Sequence, residues 1–312
     1  MNLCKHTKFL ALIKVNSHNE IIDIKRQDIT LYLKREDLIH PNISGNKYRK
    51  LKYNIQEALT QNHDSLLTFG GAYSNHVAAV AYAGSICGLK TIGIIRGDEL
   101  ASEILNNPTL TFAQCHGMQF KFISRSSYRE KMTNIFLEEL KNQFNNFYLI
   151  PEGGTNALGV LGCQEILNDN DKEFDYICCS VGTGGTICGL INSSNENQKI
   201  IGFSSINKNY LLNDITKFVT NENWMLIDDF SFGGYGKVNN ELIEFMNNFR
   251  LKYGILLDPI YTSKLVYGVL NLITNNFFKP NSKILMIHTG GHQGIFPMNK
   301  FLKNKNLTTI NY

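Results

Sequence analysis

The sequence predicts an α/β chain built on parallel sheets, and three observations carry that expectation. Apolar, β-branched runs alternate with helical stretches along most of the chain, as in Ser65 to Phe69, Ser74 to Cys87 and Thr91 to Ile95; such alternation calls for right-handed crossovers between parallel strands. Several of these runs end in glycine-rich loops, and ligands of open α/β sheets bind beyond the carboxyl ends of strands. The 312 residues, 43% of them hydrophobic, suffice for one large domain or two ordinary ones.

Taken in order, the first forty residues read as short strands and turns, the clearest being Ile29 to Lys34, where β-branched and aromatic residues gather. Arg35, Glu36 and Asp37 lead into a loop with Pro41 and Gly45. From Tyr48 to Leu59 the apolar Leu51, Ile55, Ala58 and Leu59 recur at helical spacing, with Lys47 at the mouth of the helix. Ser65 to Phe69 is a buried strand, Gly70-Gly71 its turn, Ser74 to Cys87 a small-residue helix and Thr91 to Ile95 the next strand. Pro108 starts a helix, Gln119 to Ile123 is a strand, and Tyr128 to Phe144 reads as one amphipathic helix with Met132, Ile135, Phe136 and Leu140 inward. Phe147 to Ile150 is a further strand. The second half continues with strand Tyr176 to Val181, a helix from Gly185, strand Ile200 to Ser204, helix Asn239 to Tyr253, strand Ile255 to Leu257, helix Thr262 to Phe277 and strand Lys283 to His288.

The net charge of +4 is spread over 31 basic and 27 acidic residues without a one-sign block. That argues against a nucleic-acid or membrane surface and for a small partner. Seven cysteines (Cys4, Cys87, Cys115, Cys163, Cys178, Cys179, Cys188) form no CxxC pair and read as reduced core residues of a cytoplasmic protein. The apolar run Phe9 to Val15 is too short to span a bilayer.

Chemistry is expected at the loops. Lys47 follows Ser44-Gly45-Asn46 and opens a helix, where the partial positive charge disfavours an ammonium and favours the neutral amine that imine chemistry requires. A solvated basic face would equally explain Lys47, Arg49, Lys50 and Lys52, so the other loops must decide. Gly70-Gly71-Ala72-Tyr73-Ser74-Asn75-His76 places Ser74 at an N-cap, yet a cap needs neither the two glycines nor the Asn-His that follows. Gly182-Thr183-Gly184-Gly185-Thr186 opens a helix without dinucleotide or Walker spacing and suits one monophosphate. Pro151-Glu152-Gly153-Gly154-Thr155-Asn156 and His288-Thr289-Gly290-Gly291-His292 are two more strand-end loops. His288 and His292 lack a third ligand at sensible spacing, so no metal is expected. A lysine with a monophosphate cradle points to pyridoxal 5'-phosphate.

Gly45 to Leu51, Tyr73-Ser74-Asn75-His76, Gly182 to Thr186, Asp258-Pro259-Ile260-Tyr261 and His288-Thr289-Gly290-Gly291 together resemble, in this order, the 1-aminocyclopropane-1-carboxylate deaminase and D-cysteine desulfhydrase family. The resemblance implies the tryptophan-synthase-β-like fold (fold type II) with two open parallel-sheet α/β domains. The larger comprises 1–43 and 150–312, and the smaller, 44–149, carries the cofactor lysine. It also implies that Lys47 holds the cofactor, that Lys50 and residues Gly182, Thr183, Gly184, Gly185 and Thr186 surround its phosphate, and that Asn75 meets its phenolic oxygen. Ser74 would meet the substrate carboxylate or move a proton, Tyr235 and Tyr261 would be the active-site tyrosines, and the protein would be a homodimer acting on a small amino acid.

The deaminases carry a glutamate after the second tyrosine and a leucine before the terminal glycine pair, where this chain has Thr262 and Thr289. A carboxylate near the pyridine nitrogen supports opening a cyclopropane, whereas hydroxyls suffice for removing an α-proton and expelling a thiolate. The resemblance therefore favours D-cysteine desulfhydrase chemistry over the deaminase. A protein that binds the cofactor without turnover is the expectation from a different class.

Overall fold

The computed structural model describes Ile13, residues 15–43 and residues 45–312. Cys4, Ser44 and most of the apolar run Phe9 to Val15 lie outside them. Among the described residues ten strands, β1 (Asn19–Ile21), β2 (Ile29–Lys34), β3 (Ser65–Gly71), β4 (Lys90–Arg96), β5 (Met118–Ile123), β6 (Phe147–Ile150), β7 (Tyr176–Val181), β8 (Lys199–Ser204), β9 (Trp224–Ile227) and β10 (Ser282–Ile287), form two sheets. The first runs β1-β2-β10-β7-β8-β9, parallel except for the β1–β2 pair; the second runs β5-β4-β3-β6 and is parallel throughout. Both ends of the described chain contribute to the six-stranded sheet, and the stretch between builds the four-stranded one.

Burial explains why the strands read as continuous apolar runs. Leu66 and Ile95 of the four-stranded sheet pack under Leu51 and Ile55 of helix Asn46–Thr60 and Val77 and Val80 of helix Asn75–Cys87. Leu67, Phe69, Ile92 and Ile94 face the other side against Tyr128 and Leu140. The larger sheet is likewise covered on both faces, by Leu265, Val266 and Val269 on one and by Ile187, Leu190 and Val160 on the other. The Lys47 helix also reaches the larger sheet's layer: a Cβ at Gly162, in helix Ala157–Gln164, would stand 1.9 Å from the Arg49 carbonyl. A buried ion pair within the larger sheet's layer joins Lys34 to Asp171 at 2.7 Å, and another, Arg49 with Glu36 at 2.9 Å, ties the Lys47 helix to the segment after β2.

Four local expectations are corrected. Tyr128 to Phe144 is two helices, Arg125–Arg129 and Asn134–Phe144, because Ser124 caps the first and Thr133 the second by accepting the Ser127 and Phe136 N–H groups. Met132 and Ile135 accordingly face solvent, Ile135 at 77% exposure. Ile255 to Leu257 is no strand: the chain leaves helix Asn240–Tyr253 through the left-handed Gly254, and the Leu256 carbonyl accepts from His288 Nε2 and His292 Nε2 instead of a ladder N–H. Gly70-Gly71 extends β3 rather than turning. Of the described cysteines Cys87, Cys163, Cys178, Cys179 and Cys188 are buried, whereas Cys115 is exposed.

Candidate active site

The carboxyl ends of β3, β4, β7 and β8 and the loop after β10 converge on a cleft of about 700 Å³. It is large enough for a cofactor and a small substrate together. Lys47, Lys50, Ser74, Asn75, Gly182, Thr183, Gly184, Thr186, Tyr235, Tyr261 and Thr289 all line it. Gly185 lies directly behind, since a Cβ there would meet Thr155 Oγ1 at 2.8 Å and Lys50 Nζ at 3.1 Å.

Gly45 sets the position of Lys47. Its φ is +55°, and a Cβ on it would fall 2.0 Å from the Thr289 carbonyl oxygen, so only glycine lets the lysine turn lie against the Thr289-Gly290-Gly291 loop. Lys47 Nζ donates to Asn46 Oδ1 at 3.0 Å, and Asn46 Nδ2 donates to Thr186 Oγ1 at 2.8 Å. Burial pushes the Lys47 amine down to about 7, with the neighbouring Lys50 charge adding to the effect. Burial, more than the helix terminus expected from the sequence, is therefore what frees the amine.

Lys50, one turn later, is itself buried and points at the glycine-rich loops. Its Nζ donates to the Gly153 carbonyl (3.0 Å), Thr155 Oγ1 (3.1 Å) and Thr183 Oγ1 (3.4 Å). The Thr155 and Thr183 hydroxyls are 2.6 Å apart. Gly184, at φ +84°, opens helix Gly185–Ser193, whose terminal N–H groups carry no side-chain cap. A lysine, two hydroxyls and an uncapped helix N-terminus make a cradle for a phosphate group.

Ser74 caps helix Asn75–Cys87 by accepting the Val77 N–H at 3.3 Å and still lines the cleft, so capping and site roles coexist. The Asn75 carboxamide oxygen is buried without a hydrogen-bond partner. His76, buried behind it, has Nε2 2.9 Å from Thr68 Oγ1, whose own proton goes to the Ile150 carbonyl; His76 Nε2 is thus the donor and Nδ1 is left bare. Burial, then the Lys47 and Lys50 charges, hold this imidazole well below its usual range.

Tyr261 begins helix Thr262–Thr274 because Asp258 Oδ1 accepts the N–H groups of Ile260 and Tyr261 at 2.9 Å each. A Cβ at Gly182 would stand 3.0 Å from the Tyr261 hydroxyl. Tyr235 meets Tyr261 edge-on with ring centroids 6.0 Å apart. It sits in a loop where Phe232, Gly233, Gly234 and Gly236 all have positive φ. Lys264, on the Tyr261 helix, pins that loop through bonds to the Ser231 (2.7 Å) and Gly234 (2.8 Å) carbonyls. Burial pushes both tyrosine hydroxyls up, Tyr261 well above the usual phenol range.

Thr262 and Thr289 do not act as a pair at the cleft. Thr262 Oγ1 turns into the core, donating to Asp258 Oδ2 at 2.7 Å and accepting the Asp258 N–H at 2.9 Å. The hydroxyl that joins Thr289 at the cleft wall is Ser180, 3.5 Å away, a residue that nothing in the sequence singles out. Arg96 was also missed: it ends β4, one residue beyond the expected strand, and lines the cleft. The metal expectation is corrected in its reasoning, since Asp37, remote in sequence, brings a ligand atom within 4.8 Å of those of His288 and His292. Its two oxygens already accept from Arg35 at 2.9 Å each, and both imidazoles donate to the Leu256 carbonyl, so the three build a hydrogen-bonded block behind the Thr289 loop.

Among the described residues no helix is long and apolar enough to cross a membrane. The family model for pyridoxal-phosphate dependent enzymes matches residues 12–290. A putative 1-aminocyclopropane-1-carboxylate deaminase of Pyrococcus horikoshii is 33% identical over 285 residues, 85% of this chain and 86% of that protein. The bifunctional D-cysteine desulfhydrase/1-aminocyclopropane-1-carboxylate deaminase, mitochondrial, of Arabidopsis thaliana is 31% identical over 323 residues, covering 94% of this chain and 80% of that one. The crystal structure of an ACC deaminase homologue superposes with a TM-score of 0.79 at 29% identity, over 96% of this chain and 98% of the other. With its parallel-sheet architecture, the chain belongs to the fold-type II pyridoxal-phosphate dependent enzymes, in the 1-aminocyclopropane-1-carboxylate deaminase and D-cysteine desulfhydrase family.

Proposed function

We propose that this protein is a pyridoxal-phosphate lyase that converts D-cysteine and water to hydrogen sulfide, pyruvate and ammonia. The observation that carries the reading is the make-up of the cleft wall. Thr289 and Ser180 offer neutral hydroxyls, and the only carboxylate among the described lining residues is Glu152, held by Lys131 at 3.2 Å. Ring opening of a cyclopropane, at a carbon without an α-hydrogen, calls for a strong electron sink backed by a carboxylate. β-Elimination starts from an acidic α-hydrogen and needs less.

The residues fit the cofactor. The amine of Lys47 would hold it, Lys50, Thr183 and the N–H groups of residues 182 to 186 would take its phosphate, and the Asn75 carboxamide at the cleft wall would meet its phenolic oxygen with Nδ2 as the donor. The group supplies, when bound, the electron sink for the α-carbanion. Ser74 and the N-terminus of its helix receive the substrate carboxylate. Lys47, near neutrality as a free amine, takes the α-proton. Tyr261 and Tyr235 stay protonated, so they serve as donors towards the departing sulfur. The carbon–sulfur pair leaves with the thiolate, and hydrolysis of the enamine releases ammonia.

The test is to incubate the holoenzyme separately with D-cysteine and with 1-aminocyclopropane-1-carboxylate and to measure sulfide and 2-oxobutanoate. Sulfide with little 2-oxobutanoate supports the lyase. The reverse ratio gives the deaminase, the second activity in the Arabidopsis relative's name. A spectral response to D-amino acids without either product gives a binding protein.

A further inference from the structure

Arg96 is the cation of the cleft that the reading above leaves without a role. It ends β4 in register with Gly71, the last residue of β3 before the chain enters Tyr73-Ser74-Asn75. Its guanidinium carbon lies 5.5 Å from the centroid of the Tyr128 ring, which steadies it by cation–π contact. One terminal nitrogen lies 3.6 Å from where a Cβ on Gly71 would sit. The other permanent charges of the lining are matched: Arg125 meets Glu99 at 2.7 Å and Glu152 meets Lys131 at 3.2 Å. Lys50 is taken up by the phosphate cradle. Arg96, exposed at the end of an interior strand, lines the cleft and has no ion pair among the described residues. Its field reaches across to Tyr235, where it opposes the rise in the hydroxyl's pKa.

We propose that Arg96 binds a second, permanently anionic group on the substrate side chain, so that the site accepts D-amino acids whose β-substituent is a sulfate, sulfonate, phosphate or carboxylate. A planar guanidinium presents a fork that matches such oxyanions in two bonds, and its seat on Tyr128 fixes the fork before the ligand arrives. The α-carboxylate has a separate place at Ser74 and the helix N-terminus, so the two anions do not compete. This proposal rests on the elimination reading for its chemistry. With O-sulfo-D-serine the α-carbon–hydrogen bond gives its proton to Lys47, the β-carbon–oxygen bond breaks with its electron pair leaving on sulfate, and water converts the resulting enamine to pyruvate and ammonium.

The experiment uses holoenzyme and compares D-aspartate with D-alanine by the shift of the visible absorption, and O-sulfo-D-serine with β-chloro-D-alanine by pyruvate release. D-aspartate is expected to bind at least about tenfold tighter than D-alanine, and Arg96→Leu to erase that preference, as expected for loss of a charged hydrogen-bonding partner. The ratio of kcat/KM for O-sulfo-D-serine over β-chloro-D-alanine should fall about tenfold or more. Arg96→Lys, which keeps the charge and loses the fork, should retain part of both preferences and stands in should the leucine variant not fold. Equal weakening of D-aspartate and D-alanine would overturn the proposal by assigning Arg96 to the α-carboxylate, and unchanged preferences would make it a solvated cation. The binding arm needs no turnover, so a D-aspartate preference in a protein that forms neither pyruvate nor sulfide would keep the Arg96 subsite and sink the elimination reading.

Discussion

Lys47 of the cofactor-free protein should capture an aldehyde at a rate that titrates near neutrality. Burial and the Lys50 charge lower its amine from 10.5 to about 7. At pH 7.5 about three quarters of that amine is neutral, against about 0.1% of an ordinary lysine, which is several hundredfold more reactive species. Pyridoxal lacking the phosphate is the suitable probe, because it reports on the amine without engaging the cradle around Lys50. Stopped-flow absorbance between pH 5.5 and 9.5 should show a rate that rises through a midpoint of about 7 and levels above about 8. Lys50→Met removes the second cause and leaves burial, so the midpoint should move up without reaching 10.5. The same shift has a stability consequence: between about pH 7 and 10.5 the unfolded chain binds more protons, so stability rises with pH across that window. At about 1.4 kcal/mol per pH unit the upper bound on the cost of the charged amine is about 5 kcal/mol. Lys47→Met should therefore raise the melting temperature of the cofactor-free protein at pH 7. A capture midpoint near 10, or one indifferent to Lys50→Met, would refute the reasoning.

Four other outcomes follow from the geometry. Lys264→Met frees the loop that carries Tyr235 and should lower kcat/KM about tenfold, with limited proteolysis near Gly233 as an independent readout. Gly182→Ala places a Cβ 3.0 Å from the Tyr261 hydroxyl and should lower kcat more than it lowers the melting temperature. Asp171→Ala strands the buried Lys34 ammonium and should cost about 3–5 kcal/mol in denaturant unfolding. Thr262→Glu sets a second carboxylate against Asp258 in the core, so it should destabilise the fold rather than confer cyclopropane opening, checked by thermal melting beside a 2-oxobutanoate assay.

Much of the fold was legible because its strands are buried on both faces and its helices keep strong caps. Runs such as Tyr176 to Val181 and caps such as Ser74 and Asn239 therefore stand where the local sequence puts them. Helix Asn134–Phe144 was misread because Ile135 and Met132 extend an apolar period that Thr133 interrupts only by its hydrogen bond. Ile255 to Leu257 has strand composition, yet its partners are two histidine side chains from the end of the chain, which no local pattern reveals. At the site, the lysine and glycine-rich loops announce themselves by residue type. Thr262 does not: whether a hydroxyl faces the cleft or its own turn depends on Asp258 four residues earlier. Arg96 and Ser180 carry no motif, and only the register of their strand ends brings them to the cleft.

The most direct test of the central claim, that Lys47 is the residue on which the cofactor is held, is borohydride reduction of the holoenzyme followed by peptide mass spectrometry. The account predicts a single phosphopyridoxyl adduct on the peptide containing Lys47, and its loss together with the visible absorption in Lys47→Ala. An adduct on Lys50 or Lys264, or a Lys47→Ala protein that keeps both the absorption and a reducible adduct, would contradict it.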